Sequence, residues 1–324
     1  MSVTGHSELD VVAPDDGPGS TRAAGDRLFR GAAAGSGLFV VLLIAGVAAF
    51  LIGQAVPALL KNDANFLTDR VWNLGNLDEP SFGIPDLLWV TVVSSALALL
   101  LAVPVAVGVA LFLTQYAPRR LATPFAYLVD LLAAVPSIVY GLWGYAVLRP
   151  FVQPVQDVLA GTIGFVPLFD DKRVTGTIFL AGIVLAIMIL PIITAISREV
   201  FAQTPQTHKE GAYALGATRW EMIRTAVLPF GRAGVISAAM LGLGRALGET
   251  IAVAIILSQV ADFSFSLFTG GQTFASKIAL SAAEFDSPTK TGAFIAAGLV
   301  LFVLTFIVNA AARIVIERRK AFVE

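Results

Sequence analysis

The sequence predicts an all-α integral membrane protein with six transmembrane helices, and three observations predict it. Of 324 residues, 56% are hydrophobic and 14% charged, where ordinary soluble domains carry about a quarter charged residues; the mean hydropathy is +0.80. Six apolar runs, at approximately 37–60, 87–113, 124–148, 175–196, 234–260 and 292–314, are each long enough to cross a hydrocarbon core of about 30 Å at 1.5 Å per residue. Lys and Arg, finally, gather on alternate connections between the runs, which is the signature that orients a membrane protein.

The first segment is of another kind. Residues 1–26 carry Glu8, Asp10, Asp15, Asp16 and Asp26 against Arg22 alone, with Gly, Pro and Ser between them. Such a stretch buries too little apolar surface to order itself. A cleaved signal peptide needs a basic start and a short apolar core, and neither is present. Residues 1–30 are therefore expected to form a disordered acidic tail, and residues 31–324 the transmembrane domain.

With the amino terminus in the cytosol, that side holds Arg22, Arg27, Arg30, Arg119, Arg120, Arg198, Lys209, Arg219, Arg224, Arg232, Arg313, Arg318, Arg319 and Lys320. The outer side keeps Lys61, Arg70, Arg149, Lys172, Arg173, Lys277 and Lys290. Both termini are expected to be cytosolic. Two outer connections, about 149–174 and 261–291, contain the semi-apolar stretches GTIGFVPLF and FASKIALSA; these read either as short surface or re-entrant helices or as plain loop. Pro104, Pro136 and Pro191 fall within or near spans, where membrane helices tolerate a kink.

The fifth run holds the most informative residues, Arg245 and Glu249 within GLGRALGETIAV (242–253). An arginine at the middle of a membrane helix costs about 2.5 to 3.5 kcal/mol on insertion scales, so such residues face protein or water. On a continuous helix, Arg245 and Glu249 share one face. They then form either a neutralising pair that lets the helix pack, or the lining of an anion path in which the guanidinium fork meets oxyanion oxygens and Glu249 holds its orientation. Gly244 and Gly248 spell GxxxG, a spacing that permits close approach of another helix. Asp130, near the cytosolic third of the third run, is expected at the membrane interface, at the inner mouth, or paired with a basic residue.

Between the fourth and fifth runs, about 197–232, lies the one sizeable structured cytosolic connection. Thr204 and Pro205 suit a helix start and Gly216 a left-handed stop. Thr218 with Glu221 makes a capping box for a second helix running towards Pro229. A helix-turn-helix at the membrane surface is expected.

The residues EGAYALGATRWEMIRTAVLP of this hairpin resemble the EAA loop of ATP-binding-cassette importer permeases. Glu210, Ala212, Gly216, Leu228 and Pro229 stand at the motif positions, with Gly211 and Ala226 as departures. Together with AVPVAVGVALFLTQYAP (102–118), LLAAVPSIVYGLWG (131–144) and GLGRALGETIAV, the chain resembles phosphate-specific permeases of the PstC type.

That resemblance implies a type I importer permease fold. It implies a hairpin that couples to an ATPase dimer (PstB-like), and a substrate path for inorganic phosphate at Arg245 and Glu249. It also implies a second permease subunit (PstA-like) and an extracytoplasmic phosphate-binding protein (PstS-like) in a bacterial plasma membrane, in contact with lipid and with no nucleic acid. The alternatives are a permease for sulfate or molybdate, or, from another class, a passive anion channel or signalling scaffold.

No enzymatic activity is expected. The chain has no Gly-Lys dipeptide and hence no phosphate-cradling GxxxxGK[ST] loop; ATP would be bound by partner subunits, with no cofactor here. There is no Cys, and the two histidines, His6 and His208, lack partners suited to a metal.

Overall fold

The computed structural model describes residues 19–170, 174–260 and 262–320. The chain divides into two units, 1–50 and 51–324. Within the first, everything described belongs to one uninterrupted helix, α1 (Gly19–Leu60). Residues 1–18 of the expected tail lie outside the described residues. From Gly19 onward the remainder is helical, a correction that follows from the run of alanines and from Arg27 and Arg30, all sound helix formers.

In the second unit the last turns of α1 pack through Ala55 and Ala58 against Ala293, Phe294 and Ala296 of α12 (Pro288–Lys320). A side chain at Gly292 would meet Ala58 Cβ at 2.7 Å, so only glycine permits that approach. A short antiparallel hairpin, β1 (Trp72–Asn73) and β2 (Ser81–Phe82), follows α1 and pairs Trp72 with Phe82.

The centre of the unit is α6 (Ile178–Ala202). Two thirds of its apolar window is buried, against about a third or less for the other spans. Helix α2 (Pro85–Leu111) lays a stripe of small residues, Ala98, Ala102, Ala106 and Ala110, along this region, each at most 1% exposed. Small side chains at four-residue spacing let backbones approach where no hydrophobic force separates helix from lipid. Gly182 completes the fit, because a Cβ there would meet the Leu97 side chain at 2.6 Å.

The third expected span, 124–148, is not one straight rod. Helix α3 (Arg119–Ala133) and the helical run Ser137–Ile163 are bent by 91°. Pro136, in extended conformation at ψ 139, has no N–H to donate to Leu132 and disfavours helix at Val135. The Tyr140 hydroxyl donates to that Leu132 carbonyl at 2.7 Å, supplying a partner inside an apolar medium. Beyond the bend lie α4 (Ser137–Trp143), a π-helical turn (Gly144–Leu148) and α5 (Arg149–Ile163). Of the two readings of the 149–174 connection, helix or plain loop, the described residues are largely helical.

The fifth span also differs from expectation. Helical structure is continuous over Arg219–Leu247, comprising α8 (Arg219–Met222), a π-helical turn (Ile223–Val227) and α9 (Leu228–Leu247). It stops at Gly248 and resumes as α10 (Ile251–Ile256), after which Leu257 is extended. Residues 257–260 and 267–271 then cross the start of α6. Ser258 N–H donates to Gly176 O at 3.0 Å, and Ile178 and Phe179 N–H donate to Thr269 O and Leu267 O at 2.8 Å. The FASKIALSA stretch is a short helix, α11 (Phe274–Leu280), capped by Thr273 and Ser276.

Candidate functional site

Two places carry the residues singled out by the sequence. The first is the end of α9. The break at Gly248 separates Arg245 from Glu249, so the two do not share one helix face as expected. Glu249 is 8% exposed, and its Oε1 accepts the Ala252 N–H at 3.1 Å, closing the first turn of α10. Among the described residues no carboxylate stands within 4 Å of the Arg245 guanidinium, and its buried Nε has no hydrogen-bond partner. The neutralising pair is therefore absent: the carboxylate serves the α10 terminus, where four backbone N–H groups otherwise lack acceptors.

Arg245 borders a cavity of about 780 Å3 among α6, α9 and α12, whose polar contributions come from Ser237, Asn309, Arg313 and Arg245 itself. Arg313 pairs with Glu317 at 3.2 Å on an exposed surface. An unneutralised guanidinium with two neutral polar side chains across an apolar wall suits transient contact with an oxyanion. Asn309 was legible as an amide inside an apolar span, the one signal that sequence reasoning passed over. Ser237 had no such signal, since its hydroxyl also bonds its own helix at Ala233 O.

α4 holds α10 in place. Gly141 lies so close to Ala252 that a Cβ would meet its Cα at 2.8 Å. At Gly244 and Gly248, by contrast, an added Cβ would meet no other helix within 4 Å among the described residues. Asp130 is paired, its Oδ2 3.4 Å from Arg198 Nη2, which ties α3 to α6.

The second place is the hairpin. Helix α7 (Gln206–Ala214) begins after Pro205. Gly216 takes φ +80, a left-handed conformation that side chains with a Cβ rarely adopt. Thr218 and Glu221 form the expected capping box. The second helix does not end at Pro229. Pro229 cannot donate to Thr225 O, and the strain is absorbed by the preceding π turn, in which Leu228 N–H reaches back to Ile223 O.

Met222, Ile223 and Val227 are buried with Phe201 of α6 and Leu111 of α2, and the Arg219 guanidinium lies 4.8 Å from the Tyr116 ring centre. Glu210, Tyr213, Leu215 and Trp220 stay exposed, Leu215 by 91% and Trp220 by 57%. Of the motif residues, Ala212 and Leu228 pack partly against the same cluster. The hairpin is thus anchored through its inner face and presents large apolar side chains outward. His208 is exposed, and no cluster of metal-binding side chains exists among the described residues.

Comparison with known proteins bears on the chain as a whole. Residues 102–321 match the family described as binding-protein-dependent transport system inner membrane component. A Mycobacterium tuberculosis protein, phosphate transport system permease protein PstC 2, is 56% identical over 294 residues, covering 89% of this chain and 91% of its own. The Mycobacterium leprae phosphate transport system permease protein PstC is 57% identical over 293 residues, covering 89% and 92%. Its Mesorhizobium japonicum counterpart is 39% identical over 298 residues, covering 90% of each. In fold, the chain resembles a chain of the inward-facing MetNI methionine ABC transporter, with a TM-score of 0.53 at 14% identity over 72% of this chain and 94% of that one.

Proposed function

Since this chain belongs to the family of binding-protein-dependent transport system inner membrane components, we propose that it is the membrane-spanning subunit of an ATP-driven phosphate importer. The observation that carries the mechanism is the Arg245 guanidinium, half-buried at the edge of a cavity with its Nε unpartnered. The names of relatives 56% and 39% identical support phosphate as the cargo.

Import of an anion against an inside-negative potential costs about 2.3 kcal/mol per charge for each 100 mV. An energy source is needed, and this chain lacks the Gly-Lys pair of a phosphate-cradling loop. ATP is therefore hydrolysed by a separate ATPase pair, gripping the Leu215 and Trp220 knob of the hairpin. A second permease subunit closes the path, and a binding protein delivers phosphate on the outer side. Both termini lie in the cytosol. Arg245 holds the oxyanion briefly, and a single permanent charge without a dense donor cage lets it leave.

The test is transport by the reconstituted complex in vesicles, with sulfate and molybdate as competitors. Uptake of labelled phosphate that requires both ATP and the binding protein, and resists both competitors, is the expected result. Uptake without either requirement marks a passive channel; sulfate or molybdate outcompeting phosphate marks a different oxyanion permease.

A further inference from the structure

Length and direction set α3 apart from the spans. At 15 residues it extends about 22 Å at 1.5 Å per residue, short of a hydrocarbon core of about 30 Å. The run beyond the bend, with 7, 5 and 15 residues in α4, the π turn and α5, reaches about 40 Å and can cross. Two contacts with α6 give the levels. Gln156 Nε2 of α5 donates to Thr177 Oγ1 at 2.6 Å, at the first end of α6, whereas Asp130 of α3 meets Arg198 at 3.4 Å, close to the end that leads into the α7–α8 hairpin. With Ser137–Ile163 as the span, a bend of 91° sets α3 near the membrane plane, on the hairpin side.

Its residues sort into three faces. The helix packs on α6, and its less exposed positions, Ala122, Ala126, Val129 and Ala133, recur at the spacing of one helix face. Leu121, Phe125, Leu128 and Leu132 repeat that spacing on a second face, all of them exposed. Arg119, Thr123, Tyr127 and Asp130 occupy the third, also exposed, with Arg120 at its edge. At 3.6 residues per turn the second and third faces point in opposite directions. An in-plane helix with an apolar row on one side and a polar row on the other suits acyl chains below and water above.

The charges beside the apolar row say what covers it. Arg119 and Arg120 are exposed, and among the described residues no carboxylate lies within 4 Å of either. The single acid of the helix, Asp130, is taken by Arg198. Two adjacent unpaired guanidinium groups match the phosphate oxygens of lipid headgroups, which each fork can meet in pairs. Tyr127, 67% exposed on the polar face, has the amphipathic ring that favours the headgroup boundary.

We propose that α3 is an in-plane anchor, with Leu121, Phe125, Leu128 and Leu132 in the acyl layer and Arg119 and Arg120 on the headgroups of acidic phospholipids. That this leaflet is the cytosolic one rests on the proposed function; the contact itself does not. Beyond Pro136 the anchored helix leads into α4, which meets α10 at Gly141 and Ala252. The lipid thus steadies the element on which α10 is seated.

The chain has no cysteine, so single-cysteine variants can carry a fluorescent label in the assembled complex, reconstituted in nanodiscs with partner subunits free of cysteine. Labels on Phe125→Cys and Leu128→Cys should be quenched by brominated acyl chains and shielded from aqueous acrylamide. A label on Thr123→Cys should behave in the opposite way. On Leu121→Cys, beside Arg120, brominated phosphatidylglycerol should accumulate severalfold over brominated phosphatidylcholine, each basic residue near an anionic surface contributing on the order of fivefold. Arg119→Gln combined with Arg120→Gln should remove that preference, and the corresponding pair of lysine substitutions should keep most of it.

A Leu128→Cys label that neither quencher reaches is covered by protein, the second permease or another copy of this chain, and overturns the anchor. One that acrylamide reaches lies in water and overturns it as well. Equal quenching by the two brominated lipids, or a preference that survives both glutamine substitutions, overturns the headgroup contact. None of these readings involves transport, so a failure here leaves phosphate as the cargo standing, and sulfate uptake by the unaltered complex leaves the anchor standing.

Discussion

Glu249 Oε1 accepts the backbone N–H of Ala252 at 3.1 Å, so the acid four residues after Arg245 closes a helix turn, and among the described residues no carboxylate lies within ion-pair distance of the guanidinium. A sequence with an Arg and a Glu at helical spacing invites the opposite picture, of an ion pair on one face. Gly248 prevents it by ending α9 between them.

Replacing Arg245 by leucine keeps the apolar volume and removes the charge. Phosphate uptake should fall to background while the complex still assembles and hydrolyses ATP, as measured by transport and phosphate release in the same vesicles. Normal uptake by a well-expressed variant contradicts the assigned role.

Glu249→Ala removes the acceptor from the first turn of α10 and should cost about 1 kcal/mol locally, the usual value of a lost helix cap. Amide hydrogen exchange at Ala252 should accelerate, whereas Glu249→Gln, which retains an oxygen acceptor, should keep most of the protection. Equal exchange in both variants would mean that the carboxylate charge, not the hydrogen bond, orders this turn.

Gly216→Val forces a β-branched side chain into a left-handed backbone conformation, at a cost of at least ~1 to 2 kcal/mol. The turn should open, and stimulation of the partner ATPase by the permease should be lost. Co-purification of this variant with a fully stimulated ATPase is the contrary result.

Leu215 and Trp220 are large, apolar and exposed on the hairpin. Leu215→Glu places a charge where a partner surface is expected and should lower affinity for the ATPase by about tenfold or more, as for a buried interface anchor. Membrane insertion and thermal stability of the isolated permease should not change, since the side chain is 91% exposed.

Gly141→Leu places a Cβ 2.8 Å from Ala252 Cα, with the rest of the side chain beyond it. A shift of α10 away from α4 should follow, with a fall in thermal midpoint and in uptake together. Gly211→Ala, on an open face of the hairpin, should leave both unchanged.

Much of this was legible in the residues. Hydropathy windows find the spans because each needs only length and apolarity, and the 204–221 signals of Pro205, Gly216, Thr218 and Glu221 act locally, within one turn of chain. The departures share a different cause. The 91° bend after Ala133 depends on Pro136 together with a hydroxyl at Tyr140 ready to serve the Leu132 carbonyl, and hydropathy carries no direction.

The stop at Gly248 reads as a continuing apolar helix until α4 and α10 are brought together at Gly141 and Ala252. A recess lined by Trp72, Asp86, Trp89 and Lys277 draws on residues up to 205 positions apart, a juxtaposition that no local pattern encodes. Residues near one another in sequence announce themselves; those that meet only after packing do not.

Helical structure without interruption from Arg219 to Leu247 makes the exposed hairpin knob and the half-buried Arg245 opposite ends of one shaft, about 40 Å long at 1.5 Å per residue. Helix α9 ends at Gly248, so on the proposed reading a displacement of this shaft at the hairpin would be carried to Arg245 without having to pass into α10.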